Sequence, residues 1–301
     1  MRVGLDVGGS KILAVAAAPD GRIIATDRRP TGWGPDAVVA GVVAAVRAVA
    51  GDTGPSSIGI GVPGQVVPGS GIVRHALNLG VDRLDLAAAI EDRTGIRPFV
   101  DNDVRAAAVG VAARMPALEA VAYLNLGTGV AAGIAQAGAP WRGARGAAGE
   151  IGHVAVDPAG PMCSCGQRGC IEALAGGASV ARRWGRPGAY PVQEVFDAAD
   201  RGDPAATALR DDVWRGVAAA VQMLVLTTDV DAVVLGGGVA RLGDRLTGPV
   251  RARLRDAGEG SAFLASLALA DRIVVLAQPD PVGAVGAALL GAAEVPTGLV
   301  G

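Results

Sequence analysis

Aromatic side chains are scarce in this sequence: three Phe, four Trp and two Tyr among 301 residues. So few rings leave no surface for stacking nucleic-acid bases. A net charge of −2 and a pI of about 5.7 offer no basic field to a phosphate backbone. Nucleic acid is therefore not an expected partner. Lysine is nearly absent, Lys11 being the sole lysine among 27 basic residues. A GC-rich coding bias accounts for arginine elsewhere; one retained lysine marks a place for a compact point charge. Cysteine is confined to Cys163, Cys165 and Cys170, an odd number that cannot pair completely, which suits a cytoplasmic setting better than a disulfide framework. Long apolar runs are missing too, although half the chain is hydrophobic and the mean hydropathy is +0.39. The longest uncharged stretch, residues 121–141, is interrupted by Asn125, Thr128, Gln136, Pro140 and several glycines, so two strands and a turn are expected there rather than a membrane span. No basic-then-apolar leader opens the sequence. Glycine, by contrast, is abundant at 46 residues, about twice the ordinary ~7%. Small residues, not large ones, make this chain apolar. Its length predicts about two domains.

Strand patterns at residues 2–6, 12–18 and 22–29, separated by Gly8-Gly9-Ser10 and Pro19-Asp20-Gly21, predict an antiparallel meander. Asp36 is read as the cap of a helix that runs to Ala50 and stops at Gly51. Residues 57–61 predict a buried strand before a Pro63-Gly64 turn, and residues 85–94 a helix ending at Gly95. A short strand at 98–100 runs into Asp101-Asn102-Asp103, followed by a small-residue helix at 104–113. Strands at 120–126 and 130–135 flank Gly127-Thr128-Gly129, and residues 143–177 read as Gly-rich and irregular. A long helix at 205–226, a strand at 232–235 ending in Gly236-Gly237-Gly238, a last strand at 273–276 and a final helix at 282–293 complete the pattern. The two Gly-rich turns between strands echo each other, as two related lobes facing one nucleotide would. The expected division is an N-terminal α/β lobe of residues 1–110, completed by a C-terminal helix at 282–301, and a second α/β lobe of residues 111–281 carrying the cysteines.

Asp6, Gly8, Gly9, Ser10 and Lys11 form a Gly-rich turn between strands. It is neither a Walker A loop nor a dinucleotide fingerprint, because a strand rather than a helix follows it. Such a turn can still cradle phosphate through inward-facing amides, and Asp6 can hold Mg²⁺ through water; an ordinary hairpin turn is the competing reading. Gly127, Thr128 and Gly129 repeat the logic, and Gly236, Gly237 and Gly238 would let a flat adenosine lie against backbone. Asp103, at a strand-to-helix junction, suits a general base accepting a proton from a substrate hydroxyl, or else a helix N-cap. His153, Cys163, Cys165 and Cys170 suit a closed, tetrahedral, structural Zn²⁺ site, with thiol redox chemistry as the rival for the Cys-x-Cys pair. Asn78, Asn102, Glu150, His153 and Glu172 offer the amides, carboxylates and imidazole suited to sugar hydroxyls, with a surface or capping residue as the competing reading for each.

Together these residues resemble the ROK family of sugar kinases, within the actin-like ATPase superfamily, over nearly the whole chain. Residues 6–11 look like its first phosphate motif, residues 126–134 its second, and residues 233–239 its adenosine motif. Asn102-Asp103 looks like its catalytic pair. Gly149, Glu150, Ile151, Gly152 and His153, followed by Cys163, Cys165, Gly166, Gly169, Cys170 and Glu172, look like its sugar and zinc signature. The resemblance implies a two-lobed α/β fold of the ribonuclease H-like kind with its active site in the interlobe cleft. It implies ATP-dependent phosphorylation of a hexose, usually on the 6-hydroxyl, with Asp103 as base. Asn78, Asn102, Asp103, Glu150, His153 and Glu172 would hold the sugar, and His153, Cys163, Cys165 and Cys170 structural zinc. Homodimers or homotetramers are the implied assemblies. The sequence departs from the family pattern at Ser10, Ala131, Arg105 and Val111, and lacks the Pro-Gly-Trp of glucose kinases after Asn78-Leu79. The family's sugar-responsive repressors carry a helix-turn-helix segment before the first phosphate motif. Here that motif begins at Asp6 and the pI is acidic, so a kinase is expected, with a non-catalytic sugar-binding protein of the same fold, or a kinase for another small hydroxylated acceptor, as the alternative. The sugar classes expected are glucose and amino sugars: N-acetylglucosamine, N-acetylmannosamine or kanosamine.

Overall fold

Three strands open the chain as a meander, β1 (Arg2–Val7), β2 (Lys11–Ala17) and β3 (Ile23–Pro30). The computed structural model describes residues 1–18, 21–51, 54–276 and 280–292. Pro19 and Asp20 of the predicted turn, and the predicted last helix from residue 293 on, lie outside the described residues. Helix α1 (Pro35–Ala50) follows, with Pro35 in its first turn and Gly51 at its end. Its valines at 38, 39, 42, 43, 46 and 49 recur at helical spacing and are buried. Gly34, not Asp36, is the N-cap; Asp36 sits inside the first turn, where a carboxylate meets the positive helix end. Then come β4 (Ser57–Val62), a small antiparallel sheet of β5 (Gln65–Val66), β6 (Ile72–Ala76) and β7 (Val81–Asp85), α2 (Leu86–Thr94), β8 (Phe99–Asn102) and α3 (Asp103–Arg114). Asp85 caps α2 by accepting from the Ala88 N–H at 3.0 Å.

The remainder comprises β9 (Ala120–Leu126), β10 (Val130–Gln136), β11 (Ala139–Pro140), α4 (Ile171–Ala175), α5 (Gly177–Trp184), α6 (Pro191–Asp200), α7 (Pro204–Thr228), β12 (Ala232–Gly236), α8 (Asp244–Glu259), α9 (Ala262–Ser266), β13 (Ile273–Val275) and α10 (Val282–Leu290). Two five-stranded sheets result, ordered β3-β2-β1-β4-β8 and β11-β10-β9-β12-β13. In each, an antiparallel hairpin continues into parallel strands. The chain forms two compact units: residues 1–117, 133–148 and the segment from Pro281, and residues 118–132 with 149–280. Among the described residues no helix is long and apolar enough to cross a membrane.

The abundance of small residues has a structural use in the first unit. Helix α10 lies directly on the sheet: a Cβ on Gly4 of β1 would strike the Ala284 carbonyl, and one on Gly59 of β4 the Ala287 carbonyl. The same helix meets α3 through Gly110 against the Val282 carbonyl and Gly286 against the Ala106 carbonyl. Backbone therefore packs on backbone, and no side chain can be inserted without moving a helix. Gly110→Ala gains helix propensity of up to about 1 kcal/mol but overpacks this seam, at about 1–3 kcal/mol. A net loss is expected on urea denaturation. Gly248→Ala in α8, where nothing lies within 4 Å of the added carbon, should instead stabilise. Equal effects of the two substitutions would refute the packing account.

Candidate active site

In the first unit the turn after β1 is closed by the Gly8 N–H donating to the Lys11 carbonyl at 2.8 Å. Buried Thr31, at the end of β3, fastens it by donating its hydroxyl to the Gly8 carbonyl at 2.6 Å. Gly9, Ser10 and Lys11 remain exposed. Gly9 faces Asn78, whose backbone oxygen and Cβ would sit 3.2 and 3.3 Å from a side chain there. Asn78 is itself exposed, on a short 3-10 turn between β6 and β7. Asp6, at the end of β1, packs against Gly283 in the first turn of α10, where a Cβ would lie 2.8 Å from its carboxylate. Burial pushes the Asp6 carboxyl up to about 6, with Lys11 pulling the other way.

The junction of β8 and α3 separates two roles that sequence leaves open. Asn102 is the cap, its side-chain oxygen accepting from the Val104 and Arg105 N–H groups, while its amide donates to the Gly64 carbonyl at 3.2 Å. Asp103 also accepts from the Val104 N–H, at 2.9 Å. Desolvation, and then the neighbouring Asp6 charge, push its carboxyl up to about 7. Behind the pair lies a network that the sequence reading did not anticipate. Buried Asp101 accepts from Arg105 at 2.7 Å and from Arg142 at 2.7 and 2.9 Å, and Arg105 also donates to the Gly146 carbonyl at 2.8 Å. The residue spacing hints at only half of this: Arg105 is one helical turn from Asp101, whereas Arg142 is 41 residues away.

In the second unit Gly127 and Thr128 border a cavity of about 680 Å³, shared with Ala178, Tyr190, Gly238 and Arg241 among others. Its size is that of a small-molecule site. Gly237 stands at φ +84° with the Leu126 carbonyl 2.5 Å from where a Cβ would be, so only glycine brings the 236–238 turn this close to the 127–129 turn. Two of the three predicted Gly-rich turns are thus brought together. Arg241, in a 3-10 turn after Gly238, and Arg245, in the first turn of α8, also border the cavity and were not singled out from sequence. Their spacing behind a glycine triplet was the available signal.

Of the predicted sugar and zinc residues, Asn78 and Asn102 belong to the first unit, and Glu150, His153, the three cysteines and Glu172 to the second. Gly149 and Gly152 lie flush against the carbonyls of Ala132 and Val130, and the Ala132 N–H donates to the Gly149 carbonyl at 2.8 Å. This seats Glu150, exposed, and His153, half-buried, on a 3-10 turn beside the 127–130 turn. The His153 Nδ1 lies 3.8 Å from the Cys163 Sγ, and the Cys165 and Cys170 Sγ atoms are 3.7 Å apart. Neighbouring ligands around tetrahedral zinc with bonds near 2.3 Å are about 3.8 Å apart. His153, Cys163 and Cys165 form a ligand group with all donor atoms within 4.8 Å. Burial first, then the crowding thiols, push Cys170 up to about 12, while Gln167 hydrogen bonds pull Cys165 down to about 6. One imidazole and three sulfurs are a donor set that fits zinc, with Cys170 lying beside the group of three. Glu172 accepts from the Val130 N–H at 3.0 Å.

A model of the ROK family matches residues 2–294. The chain is 31% identical to a glucokinase of Thermotoga maritima over 277 residues, covering 84% of this chain and 87% of that one. It is 32% identical to an N-acetylmannosamine kinase of Escherichia coli over 250 residues, covering 79% and 82%. Among solved structures it is similar to a ROK family glucokinase from Streptomyces griseus in complex with glucose and AMPPNP, with a TM-score of 0.78 and 29% identity, covering 96% of this chain and 98% of that one. The fold is that of the actin-like ATPases. This chain belongs to the ROK family.

Asp6 and Asp103 both hold protons to higher pH folded than unfolded. Between about pH 4 and 7 the folded state therefore binds more protons, and stability falls as pH rises through that window. Asp103→Asn removes the larger contribution. Its melting temperature should exceed that of the parent at pH 8, with the gap shrinking towards pH 4. A gap independent of pH would contradict the buried-charge account.

Proposed function

We propose that this protein is an ATP-dependent sugar kinase that phosphorylates a hexose on its 6-hydroxyl, with glucose or an amino sugar such as N-acetylglucosamine, N-acetylmannosamine or kanosamine as acceptor. The observation that carries the reading is the Asp103 carboxyl. It is held at a strand end in a ROK chain, next to a capping Asn102, with its proton affinity raised to about 7. A base tuned near neutrality is ionised often enough to act and basic enough to accept a proton. As the hydroxyl oxygen attacks the γ-phosphorus, Asp103 takes the hydroxyl proton and the bond to the ADP oxygen breaks. Phosphoryl transfer otherwise needs positioning and charge neutralisation. Asn78, Asn102, Glu150, His153 and Glu172 are the residues proposed to hold the sugar. The turn of Gly8, Gly9 and Ser10 and the turn of Gly127, Thr128 and Gly129 are proposed to receive phosphates, with Lys11 as a nearby positive charge, and Gly236, Gly237 and Gly238 the adenosine. Asp6 would hold the Mg²⁺ that accompanies ATP and screens phosphate charge. His153, Cys163, Cys165 and Cys170 would hold zinc, which supplies shape rather than chemistry because all four ligands come from the protein.

The test is ADP release with Mg-ATP across a panel of hexoses and amino sugars. Asp103→Asn should lower kcat by about 100- to 10,000-fold while sugar affinity stays near that of the parent. In the parent, kcat/KM should fall about tenfold per pH unit below pH 7, because the base must be ionised. Near-parental turnover of the variant would exclude Asp103 as base. Elemental analysis should find about one zinc per chain; a fully folded, active preparation without metal would exclude the zinc site.

A further inference from the structure

The cysteine cluster and the cavity-lining turn are joined by one side chain. Helix α4 begins at Ile171, directly after Cys170 at its N-cap, and its second residue is Glu172. The Glu172 carboxylate does not stand free beside the cysteines. One oxygen accepts from the Val130 N–H at 3.0 Å, across 42 residues of sequence, and Gly129 lies so close that any side chain there would strike the same oxygen. The other oxygen faces the Ser164 hydroxyl at 3.4 Å, between two of the cysteines. Just beyond α4 the same segment grips the turn twice more: the Gly177 N–H donates to the Gly127 carbonyl and the Ala178 N–H to the Thr128 carbonyl, each at 2.9 Å. Gly127, Thr128, Gly177 and Ala178 all border the 680 Å³ cavity. The wall of that cavity is therefore hung from the helix that the metal cluster starts.

We propose that Glu172 is a positioning residue for the nucleotide, fixing the 127–130 turn through the Val130 N–H and so linking nucleotide affinity to the cysteine cluster. This rests on the ATP reading above and adds to the sugar role of Glu172. A turn that cradles phosphate acts only when preorganised, and a carboxylate acceptor on the adjoining Val130 N–H is a strong restraint on the turn. Loss of the bond leaves a turn that must be ordered at the moment of binding.

Two variants separate reach from charge. Glu172→Asp keeps the charge but withdraws the carboxylate by one methylene, whereas Glu172→Gln keeps the length and an acceptor oxygen. Calorimetric titration with Mg-ADP in the absence of sugar should give a Kd raised about tenfold for Glu172→Asp and within about threefold of the parent for Glu172→Gln. Hydrogen exchange should quicken in a peptide spanning residues 126–131 of Glu172→Asp, with zinc content and melting temperature close to the parent. Unchanged Mg-ADP affinity in Glu172→Asp, or an equal loss in Glu172→Gln, overturns the assignment. A parent that binds sugar but no Mg-ADP overturns the ATP reading itself, and this inference with it.

Discussion

Direct packing of backbone on backbone is the constraint on which the rest of this structure depends. Where α10 crosses β1, β4 and α3, glycines at 4, 59, 110 and 286 remove every atom that would hold the chains apart. The end of β1, which carries Asp6, and the start of α3, which carries Asp103, are thereby fixed against one helix. Asp6 can approach Gly283 because the helix there has no side chain. The second unit repeats the device: Gly149 and Gly152 rest on the carbonyls of Ala132 and Val130. A chain rich in glycine and alanine is thus not loosely built. It trades the contact area of large side chains for proximity, and proximity is what brings backbone amides and short carboxylates to the same place.

That proximity has an electrostatic cost. Asp6 and Asp103 are desolvated, and the charge of Asp6 raises the proton affinity of Asp103 further. A structure selected only for stability would separate them or replace one by an amide. The positive groups nearby only partly compensate. Lys11 opposes the shift on Asp6 and Arg105 that on Asp103, but Arg105 is committed to Asp101 and the Gly146 carbonyl. The result is a carboxyl pair held short of full ionisation at neutral pH, an arrangement that suits proton acceptance and the binding of a cation with its anionic substrate.

Much of the fold was legible in the sequence, because strands and helices with strong apolar periodicity announce themselves. The strand at 120–126 is found where it was expected, and the helices at 35–50 and 204–228 differ by a few residues at their ends. The small β5-β6-β7 sheet was missed. Its strands are two to five residues long and carry Arg74, His75, Asp82 and Arg83, so no alternation is visible. Helices α6 and α8 were not assigned from sequence; their polar faces hold ion pairs such as Arg245 with Asp197. At the site, glycine turns and cysteine spacing were readable because they act through local backbone and ligand geometry. The partners of Asp101 and Glu172 were not, since Arg142 and Val130 lie 41 and 42 residues away. Nor can sequence divide labour between adjacent Asn102 and Asp103, both of which are good caps. The division emerges only from where each side chain points.

The departures from the family pattern take on a different meaning once they have places in the fold. Val111 is fully buried in α3 and Arg105 nearly so, its guanidinium neutralised by Asp101. Ala131 lies within β10, one residue beyond the Val130 N–H that Glu172 holds. Ser10 keeps a hydroxyl at an exposed turn position. At least two of these four changes therefore alter packing behind the functional groups rather than the groups themselves. Arg105 does more than fill space, since with Arg142 it ties the 142–146 segment to the strand that ends in Asn102.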